Sequence, residues 1–223
     1  LQGLATPPQP SVHGSPELLF EDEGLVVACK PSGMPAVPGL DGLESLESWL
    51  SAHLGCGIFQ VHRLDQDTSG LIVFAKDRRT QGLLRKQFEE RTVEKSYFAI
   101  VSSSGQETDS GTSHSGKPNF GTIDLPLAPD CEDKPRQKVD AVQGKPASTN
   151  YRFLEGEEAA EIFAHFGIDS LRGTGYELQR ETLVAVDMTP RTGRTHQLRV
   201  HAAHSEGLNS PILGDTLYGG DAW

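Results

Sequence analysis

The sequence is poor in the residues that thiol and metal chemistry use. Its 223 residues hold three cysteines, Cys29, Cys56 and Cys131, too far apart for a CxxC pair. Reduced thiols in a reducing compartment, and no zinc site, are the expectation. No apolar run approaches the roughly 20 residues that span a bilayer. No basic, apolar, cleavable leader is visible, so neither a membrane span nor secretion is expected. Positive charge is also short: 20 Lys and Arg stand against 31 Asp and Glu, a formal net charge of -11. That argues against non-specific binding to nucleic acid.

What is present is unevenly spread. Acids gather in residues 17–47 and 155–181, bases in 63–95 and 134–152, and residues 191–204 carry three Arg, three His and no acid. One positive face on an acidic protein and a scatter of solvated charges are both compatible with this. The length allows a sizeable core in one domain or two small lobes. The chain begins at Leu1 rather than Met and stops at Trp223, so a piece excised from something longer is expected.

In chain order, Pro7, Pro8 and Pro10 mark residues 1–15 as a loose leader. Residues 18–30 read as a hairpin with an acidic turn, closed off by Pro31-Ser32-Gly33. A helix is predicted over 43–53, ended by Gly55-Cys56-Gly57, and an amphipathic one over 81–90 with Leu83, Leu84 and Phe88 on one face. Strands are predicted at 71–75 (a continuous apolar run, hence buried), 97–101, 121–127, 147–154 and 183–188, with a basic loop at 134–139. Residues 102–119 and 155–181 read as insertions, the second acidic and irregular. Strands outnumber helices and hairpins dominate, so the fold class is α+β: a mixed, mostly antiparallel sheet with flanking helices.

Several chemistries compete. Gly111 to Lys117 imitates a phosphate-binding loop, but Pro118 stands where Ser or Thr must follow and no apolar strand precedes it. His196, His201 and His204 are spaced i, i+5, i+8, which fits no common metal pattern. No GxSxG elbow supports a serine nucleophile. The remaining candidate is an aspartate acting as nucleophile or base, with Arg191, Arg194 and Arg199 holding an anionic substrate. Asp65 and Asp67 lie in Val61-His62-Arg63-Leu64-Asp65-Gln66-Asp67-Thr68-Ser69-Gly70, just before the apolar run. From that stretch alone, either could equally be a turn former bonded to its own backbone.

His62-Arg63-Leu64-Asp65 with Thr68-Ser69-Gly70 resembles the catalytic motif of the RluA-type pseudouridine synthases. Four more blocks agree, in the family's order: Val26 to Gly33 with Val37-Pro38-Gly39; Lys95-Ser96-Tyr97; Arg136-Gln137-Lys138 through Gly144 to Thr149; and Thr192 to His201 with Pro211 to Asp215 and Tyr218-Gly219. The resemblance implies a pseudouridine-synthase-like catalytic domain over 16–223 that converts uridine in RNA to pseudouridine without cofactor or metal. It implies Asp65 as the essential residue, attacking C1′ of the ribose or C6 of the uracil. Tyr97 is implied to pack on the base and serve as general base, and Arg199 to pair with Asp65. Arg63 is implied to fill the gap left by the flipped target base, with His62 assisting and Arg194 and His196 also binding substrate.

The resemblance further implies a monomer acting on a stem-loop of tRNA or rRNA, away from membranes, in the cytoplasm or an organelle. The family's closing strands after the Tyr-Gly block, and the small basic module some members carry in front, are missing from this sequence. Two other readings stay open: an RNA-binding module of the same fold without turnover, and a protein-interaction scaffold built on the acidic insertion.

Overall fold

A computed structural model of the chain describes residues 14–39, 42–103, 117–167 and 182–219. It divides into two units, one ending at Val93 and one beginning at Glu94.

The first unit is built on the hairpin of β1 (Glu17–Glu21) and β2 (Leu25–Lys30). Asp22 shapes the turn: its Oδ1 accepts from the backbone N–H groups of Gly24 and Leu25, both at 2.7 Å. After α1 (Leu46–Leu54) come β3 (Phe59–Gln60), β4 (Gly70–Ala75) and α2 (Arg78–Glu89). The sheet order is β1-β2-β4-β3, antiparallel throughout. Register sets Val26 opposite Phe74, Ala28 opposite Ile72 and Lys30 opposite Gly70. The four apolar members of those pairs are fully buried, and so is Lys30. Strand periodicity therefore delivers a lysine to an inward position of an apolar face.

Two expectations for this unit need correction. The run 71–75 is not buried throughout: Leu71 is 63% exposed while Ile72, Phe74 and Ala75 are at 0%. An antiparallel strand covered on one side alternates, even when both faces are apolar in sequence. The second helix does form, capped by Asp77, whose side chain accepts from Thr80 N. It buries no residue, however, and Leu83 stays 57% exposed. Its ties to the unit are polar and aromatic instead: Arg78 over the Phe59 ring at 4.1 Å, Gln81 Nε2 to Gln60 O at 2.8 Å, and Phe88 against His62.

In the second unit, β5 (Tyr97–Ser103), β6 (Phe120–Asp124), β9 (Ser148–Phe153) and β10 (Thr182–Pro190) form a sheet of order β5-β10-β9-β6, with β7 (Leu127–Pro129) and β8 (Gln137–Val139) as a separate ribbon. α3 is Gly156–His165 and α4 is Gln197–Ala203. Ala99, Val101, Tyr151, Phe153, Val184, Val186 and Met188 form the core against Ala202 and Leu208, with Leu198 packed on it. α4 is thereby seated on the sheet, while Val200 turns to Leu127 and Ala147. All described pairings are antiparallel, as the α+β reading requires, but in more than one sheet.

The predicted strand 121–127 is broken at Leu125-Pro126 into β6 and β7, because proline offers no N–H to continue a ladder. Part of the predicted basic loop is β8. The acidic insertion begins not irregularly but with α3: Ala159, Ile162 and Phe163 have helical spacing and meet Leu154 and Ala185. Glu157 and Glu158 sit in the first turn, where the helix dipole favours acids. The leader up to residue 13, residues 104–116 with most of the phosphate-loop imitation, residues 168–181 and residues 220–223 lie outside the described residues.

A buried polar chain runs beneath α4. Ser148 N donates to Thr192 Oγ1, which donates to Gln197 Oε1. Gln197 Nε2 donates to Thr149 Oγ1, which faces His201 Nδ1 at 2.9 Å. His201 Nε2 faces the carbonyl of Leu125 at 3.2 Å. A carbonyl can only accept, so Nε2 carries the proton and Nδ1 receives the Thr149 hydroxyl. With a neutral ring every donor in this chain, the Thr149 hydroxyl included, finds its acceptor, and burial lowers the His201 pKa below its ordinary 6.5. The unfolded ring therefore takes up a proton before the folded one. Stability should fall as pH drops below about 6.5 and level off once the folded ring is also protonated. Thermal melts from pH 8 to pH 5 measure this. His201→Leu should lose about 1–3 kcal/mol at pH 8, from the orphaned Thr149 and Leu125 groups, and show a shallower acid slope.

Candidate active site

The first unit holds Asp65, His62 and Arg63. The Asp65 carbonyl accepts from Thr68 N at 3.1 Å, closing a turn around Gln66 and Asp67. That turn is locked onto the loop after β2. Gly33 N donates to Gln66 O at 3.0 Å, Gln66 Nε2 returns a bond to Gly33 O at 3.1 Å, and Ser32 Oγ donates to Asp67 O at 2.8 Å. Gly33 has φ 83°, a conformation that glycine adopts without strain. Beneath both loops lies the Lys30 ammonium, donating to Pro31 O at 2.9 Å, Met34 O at 2.6 Å and Gln66 O at 2.7 Å. All three of its protons are thereby placed on carbonyls. Burial pulls the Lys30 pKa down to about 8, against the opposing charges of Asp67 and Asp65.

Asp22, Asp77 and Asp140 each commit a carboxylate oxygen to backbone N–H groups of their own turns. Among the described residues the Asp65 turn is closed by its backbone alone. On either side, Val61 and Leu64 are buried while Arg63 is exposed and Asp65 half-buried. His62 is fixed from two sides: its Nε2 accepts from Val73 N at 3.1 Å, and its ring stacks on Phe88 at 4.5 Å between centroids. A neutral His62 therefore carries its proton on Nδ1.

The second unit holds Tyr97, Arg194, His196 and Arg199. Tyr97 opens β5 opposite Met188, on the side of the strand that carries Ala99 and Val101 into the core. Arg199 makes a fork on Asp215, Nε to Oδ2 and Nη2 to Oδ1, each at 2.7 Å. Asp215 is 7% exposed and also accepts from the N–H groups of Leu217 and Tyr218. Burial alone would raise its pKa, but the Arg199 guanidinium and the two N–H groups outweigh it and hold the carboxyl below its usual range. Arg194 donates its Nε to Pro146 O and its backbone N–H to Gln197 Oε1, both at 3.0 Å. His196 precedes α4 with a left-handed backbone, φ 53°, and its Nδ1 lies 2.8 Å from the Tyr218 hydroxyl.

A family model described as RNA pseudouridylate synthase matches residues 24–204, from the first unit through α4 of the second. The chain belongs to the RNA pseudouridylate synthase family. The dual-specificity RNA pseudouridine synthase RluA of Vibrio vulnificus is 38% identical over 210 residues, covering 93% of this chain and 71% of the relative. Its counterpart in Vibrio cholerae is 34% identical over 203 residues, with 91% and 68% covered. Among solved structures, human RNA pseudouridylate synthase domain containing 4 superposes with a TM-score of 0.59 at 27% identity, covering 91% of this chain and 68% of that one. Human RNA pseudouridylate synthase domain containing 1 reaches 0.65 at 24% identity over 92% and 70%, a likeness of fold.

This pseudouridylate synthase chain contains supporting residues that sequence reasoning passed over. Lys30, Asp215, Gln197 and Tyr218 lie inside the recognised motif blocks, and Gln66 lies between the two parts of the Asp65 block. For Lys30 the signal was visible: in Val26-Val27-Ala28-Cys29-Lys30 the lysine falls on the inward alternation of a strand. Among the described residues no cluster of three potential metal ligands occurs. Lys30→Met would fill the space but take the ammonium from the Pro31 and Met34 carbonyls and leave Gln66 O with the Gly33 N–H alone. We expect a loss on the order of 2–4 kcal/mol in urea unfolding, together with a fall of at least about tenfold in activity as the Asp65 turn loses its anchor. Wild-type stability with wild-type activity would refute the anchoring role.

Proposed function

We propose that this chain isomerises specific uridines in structured RNA, a stem-loop of tRNA or rRNA, using Asp65 as nucleophile and no cofactor. The observation that carries this reading is the Asp65 turn. Its neighbours Gln66 and Asp67 are pinned through their carbonyls, so the turn is fixed without the Asp65 carboxylate. A carboxylate in a rigid turn, not needed to build that turn, is positioned for a reacting carbon.

The reaction balances within one nucleotide. Asp65 attacks C1′ of the ribose or C6 of the uracil, and the bond from N1 to C1′ breaks. The uracil turns and C5 joins C1′, and the bond to Asp65 breaks, displaced from C1′ by C5 in the first case or eliminated from C6 in the second, so the carboxylate is released unchanged. The C5 proton leaves to a base, and N1 regains a proton. We assign Tyr97 to packing on the uracil and taking that C5 proton. We assign Arg199 as the fixed cation of the site, its orientation kept by the Asp215 fork.

Arg63, exposed between buried Val61 and Leu64, fills the place vacated by the flipped base, whose unstacking costs a few kcal/mol. His62, Arg194 and His196 hold the RNA around it. The chain acts as a monomer, with residues 16–223 as its catalytic domain. No helix among the described residues is long and apolar enough to cross a membrane, and we place the activity in the cytoplasm.

Tritium release from C5-labelled uridine in candidate RNAs tests the reading. Asp65→Asn should lower release at least about a thousandfold, while RNA affinity stays within about threefold and the melting temperature is nearly unchanged. Equal release by Asp65→Asn would remove Asp65 from the mechanism. RNA binding without release by the wild-type chain would leave a binding module in place of an enzyme.

A further inference from the structure

The helix α2 buries no residue, and three side-chain contacts tie it to residues 59–62. Arg78 lies over the Phe59 ring at 4.1 Å, Gln81 Nε2 donates to Gln60 O at 2.8 Å, and the Phe88 ring stacks on His62 at 4.5 Å between centroids. That segment runs directly into Arg63 and Asp65. Arg78, Gln81 and Phe88 share one side of the helix. Arg85, four residues after Gln81 and three before Phe88, falls on the same side. About one helical turn therefore separates Arg85 from the ring that stacks on His62.

The charge of Arg85 has no structural use. α2 holds four basic residues and one acid on a chain whose net charge is -11. Arg78 is engaged by Phe59 and by Gln81 Oε1, and Lys86 by Glu90 at 3.7 Å. Arg85 is exposed and makes no ion pair among the described residues, with Glu89 or with any other acid. It also precedes the last turn, where the helix dipole would favour a cation. We propose that Arg85 is a phosphate-binding residue of the substrate site: its guanidinium takes a backbone phosphate of the RNA strand beside the target uridine, and α2 holds it one turn from the Phe88–His62 stack. This rests on the reading that His62 and Arg63 serve the RNA.

A guanidinium can grip a phosphate with two parallel N–H donors, so it fixes the strand as well as attracting it. A strand seated on His62 and Arg63 passes the Phe88 end of α2, where Arg85 meets it. The contact is made alike before and during the reaction. It therefore lowers KM and leaves kcat where it was. A general positive field from α2 would act differently, because it would depend on the charge of the helix and not on the side from which that charge points. Gln87 gives the comparison. It is exposed and lies two residues after Arg85, about 200° around the helix.

The test measures RNA binding by fluorescence anisotropy and steady-state kinetics on the full chain. The probe is a labelled stem-loop RNA from which the wild type releases tritium, or labelled total tRNA if none does. Arg85→Gln should raise Kd about five- to tenfold at about 0.1 M salt and lower the slope of log Kd against log salt by about 0.7–0.9, the value of one phosphate contact. KM should rise by the same factor with kcat within about twofold. Melting should stay within about two degrees, since glutamine and arginine have similar helix propensities. Arg85→Lys should keep the slope and lose less than about threefold in Kd. Adding Gln87→Arg to Arg85→Gln restores the charge of α2 on its other side and should recover neither Kd nor slope. Recovery of both would overturn the proposal, as would an unchanged slope in Arg85→Gln or a fall in kcat without a rise in KM. A wild type that binds RNA without tritium release defeats the enzymatic reading alone, and Kd and slope still decide Arg85. A wild type that binds neither probe overturns both.

Discussion

The Asp65 turn depends on a buried ammonium group. Taking a lysine head out of water is costly, and the depression of the Lys30 pKa to about 8 records that cost. What keeps the charge in place is the count of acceptors: three protons and three carbonyls, two from its own loop and one from Gln66, 36 residues further on. A neutral side chain of the same shape would leave carbonyls unsatisfied, and a larger cation would not fit a 0% exposed position. The lysine therefore works as a fastener. It joins the end of β2 to the turn that presents Asp65, and it adds positive charge near two carboxylates at neutral pH.

The second unit solves a related problem with different parts. Arg199 and Asp215 form a part-buried ion pair, and such pairs contribute little to stability unless every polar atom has a partner. Here Oδ1 of Asp215 takes three bonds and Oδ2 one, all to fixed donors. The effect is to freeze the guanidinium plane. Under the same helix, the chain from Ser148 to Leu125 gives each hydrogen bond one direction, which ties α4 to β9 through side chains. The proposed function, in which charged groups are held steady while a base leaves its stack, would draw on this rigidity.

Much of this was legible in the sequence, for reasons that can be named. The hairpin around Asp22, α1 with its glycine stop, β4, β9 and β10 all follow from local patterns: turn chemistry, caps, apolar periodicity. The family was legible because motifs in order carry more information than any one of them. The errors also have causes. Apolar continuity in residues 71–75 hid an alternation that only a solvent-facing side reveals. A surplus of acids hid the helical spacing of Ala159, Ile162 and Phe163. Above all, supporting residues are set by contacts across long stretches of chain. Lys30 meets Gln66, Arg199 meets Asp215 and Gln137 meets Tyr218, and no local pattern announces a partner 16 to 81 residues away.

The charge distribution constrains how such a chain can select RNA. With a net charge of -11 it has little general attraction for a polyanion. Several of its cations are also engaged with neighbouring acids: Arg152 with Glu158, Arg136 with Asp133, Lys138 with Asp130, Lys76 with Glu21. Diffuse phosphate contacts therefore supply little of the affinity, and the salt dependence of binding should be shallow. On the proposed function, affinity comes instead from a few well-placed contacts, made when a loop offers an unstacked base. That favours a mobile, structured loop over regular duplex, because the energy needed to flip a base is lowest where stacking is already weak.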